Sequence, residues 1–163
     1  MTANPPSSEA LRTRALALLT RRDLSRAELL AKLQVSATDV EDLLAELQER
    51  GWQDDARVAD VELRAAYSKG HGIVRLRQRL QQRGITAALI ETTLAGWSQD
   101  EEQPVALLRQ RFAAMASADD KSRARLLRFL VYRGYAPGQA SAAVRAFLQE
   151  CRAAERERGD EWE

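Results

Sequence analysis

Arginine and lysine gather twice along this chain with no acid between them, as Lys69, Arg75, Arg77, Arg79 and Arg83 and again as Lys121, Arg123, Arg125, Arg128 and Arg133. Cations grouped this way can hold phosphate or carboxylate, and a guanidinium does so with two parallel hydrogen bonds. On a helix, Lys121, Arg125 and Arg128 fall at i, i+4 and i+7 and share a face, opposite a seam of Leu126, Leu127, Leu130 and Val131. Arg75 and Arg79 form the matching i, i+4 pair. A solvated helix surface also accommodates such arginines, whose long stems cover apolar ground. Recurrence at the same place in two segments favours a binding role.

The other reactive side chains form no comparable grouping. The carboxylate pairs Asp54-Asp55 and Asp119-Asp120 each stand where a helix begins, and complement its positive end better than they suit acid–base chemistry. His71 lies in a turn between Gly70 and Gly72, with no triad or metal partner in its neighbourhood of the sequence. With one histidine and one cysteine, Cys151, neither a disulfide nor an ordinary His/Cys zinc site can be assembled. No glycine-rich phosphate loop is present. The expectation is a protein that is not an enzyme, with no catalytic residues, metal or cofactor.

The 163 residues carry 25 basic and 24 acidic side chains, net +1, so a nucleic-acid role must rest on where charge sits. Taken by segment the net charge is −1 over 1–52, +2 over 53–97, +3 over 98–149 and −3 over 150–163. Ala, Leu, Arg, Glu and Gln dominate, prolines stand only at 5, 6, 104 and 137, and apolar residues recur at helical spacing, so the chain is expected to be all-α. Ser25 with Glu28 reads as a capping box, Ser36 with Asp39 as a similar start, and Pro104 and Pro137 as first-turn residues.

Three segments share one apolar spacing about a turn, at offsets 0, 5, 10 and 14: Leu30, Val35, Val40, Leu44; Leu80, Ile85, Ile90, Leu94; and Leu130, Tyr135, Ala140, Val144. Arg83-Gly84 and Arg133-Gly134 precede the turn residue in the second and third. The reading is three tandem three-helix, helix-turn-helix-like repeats at 8–52, 53–97 and 98–151, too small to stand alone and so stacked into an elongated, curved array. Residues 1–7 are expected to be a disordered N-terminus and 152–163 an acidic C-terminal tail that frays. Trp52 and Trp97, each after a glycine near a repeat's end, are expected to pack at the junctions between repeats. Residues 1–10 lack a leader pattern, and nothing approaches the roughly 18 apolar residues of a membrane span, which points to the cytoplasm.

Two resemblances follow. The first repeat has the cadence of a winged-helix DNA-binding domain, with Gly51-Trp52 where a wing would begin. Its recognition helix would carry Asp39, Glu41, Asp42, Glu46 and Glu49 against Arg50, and phosphate would repel it. The whole chain resembles the RecX family of regulatory proteins, through ALALLTRRDLSRAELLAKL, GWQDDARVAD, GHGIVRLRQRLQQRGI and RFLVYRGY in family order over about residues 14–148. It departs at Val58, Val61 and Leu63, where aromatics are common, and at Arg79, where an acid is.

The RecX resemblance implies a monomeric modulator that binds the RecA recombinase filament on DNA and inhibits its extension, ATP hydrolysis, strand exchange and coprotease activity, with weak nonspecific binding to DNA itself. Arg75, Arg79, Lys121, Arg125 and Arg128 would then carry the basic contact, to DNA phosphate or to an acidic recombinase surface, supported by Lys69, Arg83 and Arg133; in the other orientation the acidic helices of the first repeat would meet basic recombinase surface. The alternative is a helix-turn-helix protein that binds DNA directly as a repressor or architectural factor.

Overall fold

The computed structural model describes residues 7–97, 101–113 and 119–160, the side chains of 158–160 excepted. Nine α-helices and one 3-10 turn (Thr38–Val40) account for the regular structure of these residues, and they contain no strand. The helices are α1 (Ser8–Leu19), α2 (Arg26–Leu33), α3 (Glu41–Glu49), α4 (Asp55–Ser68), α5 (Ile73–Gln82), α6 (Ala87–Ala95), α7 (Glu102–Phe112), α8 (Asp120–Tyr132) and α9 (Pro137–Asp160).

Side-chain caps set where most of these helices begin, because the first N–H groups of a helix have no partner within it. Ser25 and Glu28 form the full capping box at α2. Asp54 accepts the N–H groups of Ala56 and Arg57 at 2.8 and 3.2 Å, Thr86 accepts that of Leu89, and Asp119 accepts that of Ser122 at 2.7 Å. Both acidic pairs are therefore helix starts. Ser36 bonds Asp39 at 2.6 Å but precedes the 3-10 turn rather than an α-helix.

The repeated spacing has a direct structural cause. Residues 34, 84 and 134 all take up left-handed backbone, with φ of 61°, 70° and 90°. The next N–H then turns back to the carbonyl five residues earlier, Val35 to Leu30 at 3.4 Å, Ile85 to Leu80 at 3.1 Å and Tyr135 to Leu130 at 3.1 Å. This is the helix stop that a left-handed residue produces. It aims residues 85 and 135, and the helix after each, into buried positions.

The described helices fold as two compact units, Met1–Arg64 with Arg77–Gly96, and Ala65–Leu76 with Trp97–Glu163. In the first, Leu11 and Ala15 of α1, Leu29 and Leu33 of α2, and Leu43, Leu44 and Leu47 of α3 close one apolar core. In the second, Val105 and Leu108 of α7, Leu126 and Leu130 of α8, and Val144, Phe147 and Leu148 of α9 close another around Tyr135. Helices α4 and α5 contribute to both units.

Each unit contains the same close approach. In the first, the α5–α6 turn lies on the start of α2, where a Cβ added to Gly84 would sit 2.4 Å from the Cβ of Ala27. In the second, the α8–α9 turn lies on the start of α5, where a Cβ on Gly134 would sit 2.4 Å from the Cβ of Arg75. Helix α5 depends on that turn for capping: Gly72 N–H donates to the Arg133 carbonyl at 2.9 Å and Val74 N–H to the Gly134 carbonyl at 3.0 Å. Only glycine satisfies both the backbone angle and the clearance. At the first turn, the left-handed residue is Gln34, which is exposed.

Some expectations change. Trp52 is not packed at a junction; it is 37% exposed, with the Arg50 guanidinium 5.0 Å from its ring centre. Trp97 packs edge-on against Tyr67 within the second unit. The acidic stretch after Glu150 does not fray over its described part, because α9 continues to Asp160. Residues 1–6 and 161–163 lie outside the described residues. No helix of the described residues is long and apolar enough to cross a membrane.

Gly84→Ala is expected to lower stability by roughly 2–4 kcal/mol, the left-handed backbone adding to the clash. Gln34→Gly is expected to change it by less than about 1 kcal/mol. Urea denaturation of the two variants checks this; equal tolerance would mean that the turn is not tightly docked.

Candidate functional site

The linker between α3 and α4 shows how the basic residues of the first unit come to be placed. Gln53 is buried and its amide donates to the Leu24 carbonyl at 3.3 Å and to Asp55 Oδ1 at 2.7 Å. Asp55 in turn accepts the Arg26 N–H at 2.7 Å, capping α2 from outside. Arg57 bonds Asp23 at 2.9 Å and the carbonyls of Gly51 and Trp52. The segment GWQDDAR is thus a hydrogen-bonded knot that seats α4 against the start of α2.

Arg83 enters the same region from the α5–α6 turn. Its guanidinium donates to the Asp23 carbonyl at 2.9 Å, to Glu28 at 2.7 Å and to Glu62 at 3.0 Å, while its own carbonyl accepts the Ser25 hydroxyl. Arg79 bonds the other oxygen of Glu62 at 2.8 Å, and Arg22 bonds Glu28 at 3.1 Å. Arg83 and Glu62 are only 13% and 11% exposed, so this pair is shielded as surface pairs are not. Partial burial works against the Glu28 charge, but bonds from Arg83, the Ser25 backbone and Arg22 outweigh it and hold the carboxyl down to about 2. Burial likewise opposes the Arg83 charge, and its two carboxylate partners more than reverse that.

Arg133 holds the second unit's turn in a related way. It donates to the Lys69 carbonyl at 2.7 Å, with its guanidinium 5.1 Å from the Phe129 ring centre. Arg75 lies over Tyr132, 5.9 Å from the ring centre, and donates weakly to the Tyr132 carbonyl at 3.4 Å. Lys69 is exposed after α4.

Lys121, Arg125 and Arg128 are different. They are exposed on one face of α8, and none of the ion pairs among the described residues involves them. The Arg125 guanidinium lies 5.3 Å from the Phe112 ring centre, supported by an aromatic and not neutralised by an acid. After Asp120 the helix carries no acid at all. Of the eight sequence-derived residues, the structure therefore ties Arg79, Arg83 and Arg133 into the fold and leaves the α8 trio facing solvent.

Two residues that matter here were not among the candidates. Glu62 looks like any surface acid of α4, because its partners lie 17 and 21 positions away. Tyr132 continues the α8 face one further step, at i+11 from Lys121, and is 81% exposed. The remaining reactive side chains stay apart from this surface. His71 is half-buried rather than exposed in its turn, and burial followed by the charges of Glu150 and Glu155 pushes the Cys151 thiol up, away from nucleophilic use. Among the described residues no group of three or more His, Cys, Asp or Glu could hold a metal ion.

Helices closed around two apolar cores, with no strand among the described residues, define an all-α protein. Residues 54–94 match the sequence model for the second three-helix domain of RecX. The chain is 36% identical over 140 residues to the regulatory protein RecX of Neisseria meningitidis, spanning 84% of this chain and 90% of that one. It is 38% identical over 144 residues to that of Halorhodospira halophila, spanning 86% and 89%. It belongs to the RecX family of regulatory proteins. The crystal structure of RecX from Lactobacillus salivarius has the same fold, with a TM-score of 0.75 at 16% identity over 86% of this chain and 96% of that one.

Folding lowers the Glu28 pKa from 4.5 to about 2, so its contribution to stability is complete above pH 4.5 and is lost as pH falls toward 2. Glu28→Gln is expected to be less stable than the parent by about 1–3 kcal/mol at neutral pH. That gap should narrow as the pH drops through the same window. Denaturation midpoints measured across pH test it, and a gap independent of pH would remove Glu28 from the network's charge balance.

Proposed function

We propose that this protein binds the RecA–DNA filament and restrains its extension, ATP hydrolysis, strand exchange and coprotease activity. The observation that carries the reading is the exposed, unpaired row Lys121, Arg125 and Arg128 on α8 of a chain that belongs to the RecX family. A filament on DNA presents a continuous line of phosphates, and cations without internal partners gain the most from meeting one. Arg75 joins this contact through its place beside Tyr132. Lys69, Arg79, Arg83 and Arg133 support it from within the fold, through the bonds that hold their turns. In this reading the chain is three tandem three-helix repeats, 8–52, 53–97 and 98–151, acting as a monomer in the cytoplasm.

The test is ATP hydrolysis by preformed recombinase filaments on single-stranded DNA, titrated with this protein at several salt concentrations. Half-inhibition is expected at concentrations well below that of the recombinase. The variant Lys121→Glu/Arg125→Glu/Arg128→Glu should need at least roughly tenfold more protein, and its salt slope should fall by about 2–3, one for each lost phosphate contact. Unchanged inhibition and unchanged slope would take the contact away from α8. Nanomolar, sequence-specific binding to bare duplex, without inhibition, would instead make the protein a repressor.

A further inference from the structure

The row of cations on α8 ends in an aromatic ring, and that combination narrows what the face can hold. Lys121, Arg125, Arg128 and Tyr132 follow one another at spacings of four, three and four, so they line a single face. The row rises about 16 Å along the helix, enough for a few nucleotides of an extended strand. Tyr132 is 81% exposed, far more than any other large apolar or aromatic side chain described, and Val131 beside it is 49% exposed. The Arg75 guanidinium lies over the ring, 5.9 Å from its centre, and adds a further positive charge beside it. Next to Tyr132, Arg111, Phe112, Arg125, Arg128 and Phe129 line an open groove of about 800 Å³.

No acid faces this groove from either helix that forms it. Helix α7 carries none after Glu102, and α8 none after Asp120. An acidic protein surface would pair Arg111, Arg125 and Arg128 and leave the exposed ring unused, and an apolar one would use Val131 and Tyr132 and leave the arginines without anions. Duplex DNA would satisfy the arginines and leave the ring idle, because its bases are stacked on each other. An unpaired strand satisfies both, phosphates on the cations and a base against the ring.

We infer that Tyr132 is a stacking residue for an unpaired base, and that the α8 face with its groove is a binding site for single-stranded nucleic acid. This rests on the same basic face as the proposed function, and specifies the nucleic acid that the face takes. The arginines supply attraction that any polyanion would feel. Tyr132 supplies the part that depends on bases being present and free.

The experiment uses the full-length protein without recombinase, so its result is independent of filament inhibition. Binding to a labelled thymidine oligonucleotide, to an abasic oligomer of the same length and to a duplex is followed by fluorescence anisotropy. The parent protein is expected to bind the thymidine strand about tenfold more tightly than the abasic one. Tyr132→Ala should lose that preference while binding the abasic oligomer as before, and Tyr132→Phe should keep it. Arg125→Gln/Arg128→Gln should weaken all three ligands together. Equal binding of thymidine and abasic strands by the parent, or equal weakening of both by Tyr132→Ala, would overturn the proposal. So would a Tyr132→Ala protein that binds every oligomer normally but no longer inhibits the filament. That last outcome would make the ring a protein contact and leave the proposed function standing.

Discussion

Two left-handed turns that come within van der Waals contact of a helix start are the constraint on which the rest of this structure depends. At Gly84 and Gly134 the backbone must be left-handed and must also approach Ala27 and Arg75 closely enough that a methyl group would collide. Once the turn is that close, the arginine before each glycine reaches back over the joint. Arg83 finds the Asp23 carbonyl and Arg133 finds the Lys69 carbonyl, each just ahead of the helix being met. The dipeptide Arg-Gly is therefore one device, in which glycine permits the approach and arginine fastens it.

The two joints are fastened to different degrees. Arg83 is held between two carboxylates in a shielded site, so its loss would leave Glu28 and Glu62 without their shared cation. Arg133 rests on the Phe129 ring and a carbonyl, without an acid. The difference follows from α4, which supplies Glu62 to the first joint. Basic side chains thus divide between those that neutralise buried acid and those left exposed without an acid, and the division is decided by tertiary partners.

This is also why the sequence disclosed the fold more fully than the site. Helix periodicity, the capping box at Ser25 and the cap at Asp119 depend on residues a few positions apart, and the repeat offsets depend on a local turn. All of these are visible along the chain. The fate of Arg83 depends on Glu28, 55 positions away, so counting cations on a helix could not separate it from Arg125. Trp52 eluded the pattern for the same reason: whether a neighbouring element covers a ring is not written beside it. At the end of α9, the charge count suggested fraying, while the residues themselves remain good helix formers.

The first turn differs from the other two in one side chain. Gln34 occupies the left-handed position that Gly84 and Gly134 hold in the later turns, and it is exposed. A Cβ at either glycine would collide with the helix that its turn meets. A left-handed turn that carries a side chain, as at Gln34, therefore ends its helix at the surface, whereas the same turn with glycine becomes a joint.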